Sequence, residues 1–475
     1  MPILGSFETD VYYGQEIDDE LSYFLYAEGN NEKRKVYHNT YAQKEYDLKS
    51  GNKAVDFYGN INYKNWLVEL GSYHKKNDTF VGLGNHQTPD GGDLTSRHTY
   101  AHVTGRFEGD VKVQLAADDI EYDGTLSDEN NMTITAGGLL TNVRHSDLKY
   151  HDKIFSAVAE KMFRNEKNRL LLGGFYKFKH FAQNGRYIGS QTYTSGFSDT
   201  LDLYSLYAEE NYDFDVSTRL IASVKGDFFR YRKEVKDRDE YVFRLGVVKN
   251  TEHAKFKLFY NQSYIPVPFR QLYNENNTPI TSNPDLKYPE IEIAAASMEY
   301  TYKHLTTTLE LTAHETENLV LPVVDPSHTR LSYINLDKKI RFYSAVLKER
   351  YEFDAKNRLL FELYAGDNSE GYDNSPRYGA TLLLFNTYGK FDLYNEMIYR
   401  SSYRGAATLN PMDTHYVESS FDFTAALKYH YTKDLLLGVR AENIFDDSMK
   451  MYYGGGLQPI EVFDRKIWAN LEYMF

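Results

Sequence analysis

The sequence predicts an all-β chain wound into a transmembrane antiparallel barrel, and three observations carry that expectation. Strand-length segments alternate apolar and polar residues with a period of two. Short polar turns alternate with long irregular connections along the chain. Tyrosine and phenylalanine are abundant, 43 and 28 among 475 residues, against 12 prolines. Tyr rings, apolar with a polar tip, suit a wall with one greasy and one wet face and girdles at a membrane–water boundary.

The closing strand shows the pattern most clearly. Ile467, Ala469, Leu471, Tyr473 and Phe475 share one face, and Lys466, Trp468, Asn470, Glu472 and Met474 share the other. An open sheet edge with such a greasy face invites aggregation in water, whereas a strand in a lipid-embedded barrel has its edges paired and its apolar face in hydrocarbon. The same alternation recurs upstream. Phe421, Phe423, Ala425, Leu427, Tyr429 and Tyr431 oppose Asp422, Thr424, Lys428 and His430; Tyr241, Phe243, Leu245 and Val247 oppose Arg244; Phe256, Leu258 and Tyr260 oppose Lys255 and Lys257; Leu435, Leu437, Val439 and Ala441 oppose Arg440 and Glu442. Charges on the face opposite the apolar row are what a polar lumen requires. The segment 291–302 changes phase midway, which reads as a bulge or a misassigned strand.

Composition narrows the class. No run approaches the roughly 18 apolar residues of a membrane helix, and a mean hydropathy of -0.59 excludes a helical membrane protein but not a barrel, whose lumen and loops are polar. Cysteine is absent, which removes disulfides, thiolate chemistry and thiolate metal sites. A net charge of -14 argues against nucleic acid as a partner.

Tight turns are expected at 63–65, 108–110, 164–168, 213–217, 250–253, 354–357, 386–390 and 432–434. Long irregular stretches are expected at 29–51, 77–95, 123–149, 184–199, 266–288, 401–416 and 443–463, with shorter ones at 232–238, 321–327 and 367–375. This two-length rhythm matches short periplasmic turns on one rim and long extracellular loops on the other. Counting back from Phe475 gives about 21 strands; even numbers are the rule for single-chain bacterial barrels, so 22 is the expected total.

Three stretches then carry a resemblance. Asn283, Pro284, Asp285, Leu286, Lys287, Tyr288, Pro289 and Glu290 resemble the "NPdLkPE" segment of the TonB-dependent outer-membrane receptors, with Tyr288 inserted. They follow Ile265 to Tyr273, similar to that family's approach segment. Glu442, Asn443, Ile444, Phe445 and Asp446 resemble its penultimate-strand signature, and the strand ending at Tyr473 and Phe475 resembles its carboxy-terminal barrel-insertion signal. The match is good over about 256–475 and is carried by rhythm before that. The resemblance implies one barrel domain over 1–475 in the outer membrane of a Gram-negative bacterium. It implies lipid, the barrel-insertion machinery and a ferric siderophore, haem or other metal complex as partners, and a monomer that is not an enzyme and has no cofactor. The family also carries a signal peptide, a TonB box and a plug domain, through which TonB acts. None is recognised in these 475 residues, and three explanations stand open: a fragment or mis-started frame, a separately encoded plug, or an unplugged barrel.

No catalytic grouping emerges. The sequence lacks HExxH, a phosphate-binding Gly-Lys-Thr loop and a GxSxG elbow. His98 and His102 would pair on a helix but on a strand merely share a face, and Asp118, Asp119 and Glu121 read as a wet strand end. Met412, His415, Met449 and Met451 could offer soft metal ligands but are more simply surface residues. Ligand recognition therefore falls to loop tips, with Phe269, Arg270, Tyr273, Arg404, His415, Tyr452 and Tyr453 as candidates, since rings with an occasional Arg suit a flat, partly anionic ligand. A passive porin-like channel and a loop-mediated adhesive barrel are the alternatives. Steady conductance would mark the first, and growth on a limiting metal complex that is the same with and without the gene would mark the second.

Overall fold

A computed structural model describes the chain from residue 6 to residue 473, apart from 34–36, 42–43, 49–50, 82–86, 135–139, 189–191, 234, 274–279, 326–329, 370–374, 408–409, 452–459 and 462–464. One sheet of 21 strands dominates it. Its strands are β1 (Phe7–Asp18), β2 (Leu21–Lys33), β3 (Gly51–Tyr63), β4 (Trp66–Val81), β5 (Gln87–Phe107), β6 (Val111–Ile134) and β7 (Leu140–Arg164). Then come β8 (Asn168–Ile188), β9 (Thr192–Asp215), β10 (Thr218–Tyr231), β11 (Arg238–Asn250), β12 (Ala254–Tyr264), β13 (Glu290–Tyr302) and β14 (Leu305–Glu317). The last third holds β15 (Ile340–Glu352), β16 (Arg358–Asn368), β17 (Tyr378–Tyr388), β18 (Phe391–Arg400), β19 (Ser420–His430), β20 (Leu435–Glu442) and β21 (Lys466–Tyr473). Each pairs antiparallel with the next, so the whole sheet is a meander.

One rim is built of the short turns. Lys64, Asp110 and Lys303 adopt left-handed φ there, as do Gly109 and Gly389, which is the twist that lets a hairpin of two or three residues reverse. From these turns the register carries the apolar rows outward. Val55, Leu70, Leu115, Phe155, Leu206, Leu245, Leu258, Leu311, Val439 and Leu471 are all exposed, and among the described residues exposed large hydrophobics far outnumber buried ones. A water-soluble chain of this length would bury those side chains; a belt of them around a barrel faces hydrocarbon. The inward face is polar and aromatic. Arg244, Lys255, Lys257, Arg440 and Glu442 lie on it by register, Arg244 over the Phe259 ring and Arg440 paired with Glu442.

Strands β1 and β21 both descend toward the short-turn rim, because the number of strands is odd. Among the described residues no backbone ladder joins them, but the sheet curls until Lys466 at the start of β21 meets Glu32 at the end of β2. Glu8, Thr9 and Asp10 of β1 and Trp468 to Leu471 of β21 border one common space.

The expected turns fall where reversals occur, and Asp19–Glu20 and Lys303–His304 add two more. The long stretches divide. Three of those expected to be irregular are largely ladder: 77–95, 123–149 and 184–199 are occupied by the ends of β4 to β9. The change of phase in 291–302 is no bulge, since β13 pairs without interruption on both sides. Ile291 and Ile293 simply face inward near the loop rim, while Met298, Tyr300 and Tyr302 face outward toward the turns. Three of the other connections form small hairpins of their own, Tyr37–Tyr41 with Lys44–Leu48, Val320–Asp325 with Arg330–Asn335, and Tyr403–Ala407 with Asn410–Val417.

Candidate functional site

Among the described residues, the connection between β12 and β13 folds inward and builds the larger buried hydrophobic cluster. Pro266 and Pro268 fix the backbone after Tyr264, and Pro268 starts a single helical turn, Phe269–Leu272. Gln271 N–H donates to the Pro268 carbonyl (2.9 Å) and Tyr273 N–H to the Phe269 carbonyl (2.8 Å). Further on, the Asn283 side chain accepts from Asp285 N–H (3.0 Å) and donates to the Tyr333 carbonyl (3.0 Å), making an Asx turn tied to a neighbouring hairpin. Asn335 grips Lys287 from both sides, at 2.8 and 2.9 Å. Ile265 N–H donates to the Pro289 carbonyl (2.9 Å) and closes the segment at its base.

So clipped, the segment drives Leu272 and Leu286, both fully buried, against the inward faces of β8 to β10. Rings dominate the contact. Phe269 stacks on Phe181 (5.3 Å, 7°), Tyr273 lies tilted against Phe197 (4.7 Å, 42°), and Tyr288 sets its edge against Phe229 (5.3 Å, 86°). Such pairs contribute about 0.5–1.5 kcal/mol each beyond area burial. Tyr288 is 2% exposed, its hydroxyl lies 2.5 Å from that of Tyr231, and the Arg238 guanidinium covers its ring at 4.9 Å. Burial pushes its phenol well above the ordinary tyrosine range. The residue that interrupts the family-like motif is thus the centre of the cluster.

Under this roof lies a cavity of about 740 Å³. Lys177 and Lys179 of β8 and Lys225 of β10 enter it from the wall, with Tyr150, Phe181, Phe229, Tyr231 and Tyr264 around them. Lys179 pairs with Asp152 (2.6 Å) and Lys225 with Asp227 (2.8 Å). Asp227, almost fully buried, also accepts from the hydroxyls of Ser205 and Tyr264. Lys177 makes no ion pair among the described residues. In the connection between β10 and β11, Lys236 sits 2.5 Å from Asp285 and holds that carboxyl below its ordinary range.

The expected ligand residues fare differently. Phe269 lines the cavity but is buried by its ring stack, so it is a packing residue rather than an exposed loop tip. Tyr273 is half-buried beside it. The side chains of Arg270 and His415 and the residues Tyr452, Tyr453 and Phe475 lie outside what is described. Arg404 is exposed on its hairpin, opposite Tyr416. Among the motif residues, Asn283, Pro284, Leu286, Pro289 and Glu290 form the clip. Asn443 and Asp446 take left-handed φ values of 45° and 58° where the chain leaves β20, which Asn and Asp tolerate best. Phe445 between them points outward and stacks on Phe423 (5.6 Å). Tyr473 faces outward opposite Leu435. The three lysines were not foreseen; the signal was Lys177-Phe178-Lys179, two cations on one face of a strand, with aromatics on either side.

The histidines His98 and His102 do share the inward face of β5, and both reach Asp118 on β6. The acidic run is not a strand end: it lies mid-strand, with Asp118 inward and Asp119 and Glu121 outward near His151.

The family model for the TonB dependent receptor-like beta-barrel matches residues 9–444. None of the curated proteins matches the sequence. Similar solved structures include a mutant of the ferric enterobactin receptor PfeA of Pseudomonas aeruginosa, at 12% identity and a TM-score of 0.75 over 99% of this chain and 78% of that one. The siderophore receptor PirA of Acinetobacter baumannii gives 14%, 0.75, 99% and 78% in the same order. The pyoverdine receptor FpvA of Pseudomonas aeruginosa PAO1 gives 11%, 0.75, 99% and 77%. At these identities the likeness is one of fold. With most of its length matched by the family model, the chain belongs to the TonB-dependent receptors, as their β-barrel.

Proposed function

We propose that this barrel lies in the outer membrane of a Gram-negative bacterium and admits a scarce metal complex of the ferric siderophore class, with energy supplied by TonB through a plug domain. The observation that carries the reading is the cavity under the inward segment, where Lys177, Lys179 and Lys225 face six aromatic rings. Cations attract the carboxylate or catecholate oxygens of such a complex, and the rings stack on its flat aromatic parts. Solved relatives of the same fold include receptors for ferric enterobactin and pyoverdine, which supports the ligand class. The chemistry belongs to the ligand and the motor, not to a catalytic group in this chain.

Ferric enterobactin and ferric pyoverdine, added to the purified protein in detergent, test this reading. At least one should bind and quench the two tryptophans, and Lys177→Ala with Lys179→Ala should weaken that binding more than about tenfold. Steady conductance of the native receptor in a planar bilayer, with no complex bound, would replace it with a passive channel. Complex binding without uptake by cells would replace it with a surface-binding barrel.

A further inference from the structure

The three cations of the lysine-lined cavity are not equivalent. We propose that Lys177 alone is its anion seat, and that the part of the ligand which enters the cavity is an aromatic arm bearing a single carboxylate or similar anion. This rests on the reading of the cavity as the ligand site and narrows it to one ligand anion paired with one lysine. The sheet decides which lysine is free. Lys177 and Lys179 occupy successive inward positions on β8. Lys179 finds the Asp152 carboxylate of β7 at 2.6 Å. Lys225 finds Asp227 two residues along its own strand, at 2.8 Å, and the hydroxyls of Ser205 and Tyr264 fix that carboxylate in turn. Lys177 has no such neighbour. Directly opposite it stand Leu203 on β9 and Ser156 on β7, and Phe229 on β10 is opposite Leu203.

The Lys177 side chain makes no hydrogen bond or ion pair among the described residues, and the residue is only partly exposed. The carboxylates that act on it through space, Asp152 and Asp118, are engaged elsewhere, by Lys179 and by His98. A partly buried ammonium without a partner gains a charge-assisted bond from any anion that reaches it. Lys179 and Lys225 can offer the same only by giving up a carboxylate built into the wall. Counted with Asp152, the charged groups of the cavity leave one positive charge in excess. A second anion on the same arm would therefore meet Asp152 or Asp227 and no free cation. Asp152 sharpens this limit, because its Oδ1 is buried without a hydrogen-bond donor and already lacks a partner. Tyr150, Phe229 and Tyr264 line the same space and supply ring contact for the aromatic body of the arm.

N-benzoylglycine, its methyl ester and N-benzoylaspartate present one aromatic arm with one, no and two free carboxylates. Titrated into the purified full chain in detergent and followed by saturation-transfer NMR, they test the assignment. The monoacid should bind saturably and at least about fivefold more tightly than the ester or the diacid, a comparison independent of how any variant folds. Lys177→Met should bring the monoacid down to the level of the ester. Asp152→Asn, which frees Lys179, should raise the diacid to the level of the monoacid. Lys153→Ala, which removes the same charge from the outward face of β7 opposite Asp119, should leave all three affinities as they are. Equal binding of acid and ester, no saturable binding of the monoacid, or a preference that survives Lys177→Met would overturn the proposal. Selective binding of the monoacid with neither ferric complex bound would keep the seat and remove the siderophore class; a ferric complex bound without any preference for the monoacid would do the reverse.

Discussion

The two sides of this barrel solve one problem differently. From β5 to β9 the strands run 21 to 25 residues, although about 9–11 suffice to cross a bilayer. From β13 to β21 they run 8 to 13 residues, and the chain between them breaks into separate hairpins. Both sides follow the same alternation of short and long intervals. What separates them is proline. Ten of the 12 prolines fall between 266 and 459, and only Pro89 falls within β5 to β9. Proline removes a ladder donor and fixes φ, so the proline-bearing connections of the low side leave the sheet, while on the tall side connections with at most one proline extend the wall; the proline-free hairpin Tyr37–Leu48 shows that proline is not the sole cause. The tall wall then gives the inward segment something to pack against, which places the cavity on that side.

The largest effect should come from importing the low side's rule into the tall one. Asp123→Pro, in the middle of β6 with ladders on both sides, should cost at least about 3 kcal/mol and abolish refolding, read as loss of the heat-modifiable folded band on a gel. Glu418→Pro, in exposed irregular chain after a hairpin, should leave that band unchanged; equal damage from both would break the comparison. Next in size is the seam between wall and segment. Leu272→Ala, at a fully buried position, should cost about 2–5 kcal/mol in urea-induced release of the segment while the barrel persists. Tyr288→Phe removes only the hydroxyl pair with Tyr231 and should cost about 0.5–1.5 kcal/mol in the same assay.

The smallest effect is electrostatic. Lys236 lowers the folded pKa of Asp285, so this pair contributes stability above the ordinary carboxylate range and loses it as pH falls through the lowered value. Both side chains are exposed and the contribution is small. Asp285→Asn should remove an acid-dependent component of segment release between pH 5 and the lowered pKa, and high salt should shrink it. A pH profile identical in the variant would exclude the pair as a clip.

Much of the fold was legible because a period of two survives any sequence in which one face meets lipid. The rows through Phe421 to Tyr431 and Ile467 to Tyr473 needed no tertiary knowledge. The height of the tall wall was not legible from polarity, since 123–149 reads as loop by composition, yet its described residues 123–134 and 140–149 belong to β6 and β7. The site was legible only in part. Asn283 and Leu286 marked the segment that matters, but its direction depends on where Phe181, Phe197 and Phe229 converge, and those lie on three different strands. The burial of Phe269 follows from the same convergence.

The central claim is that the apolar rows meet lipid while their alternate neighbours meet water. Because the chain has no cysteine, single cysteines can be spin-labelled cleanly at Leu115, Phe155 and Leu206 and at the adjacent, partly exposed inward positions Gln114, Ser156 and Tyr207 in a reconstituted bilayer. The expected result is oxygen accessibility at the first three, accessibility to a water-soluble relaxant at the second three, and alternation between them. Uniform protection from both agents at Leu115, Phe155 and Leu206 would mean that another protein layer covers those rows, and would contradict the barrel.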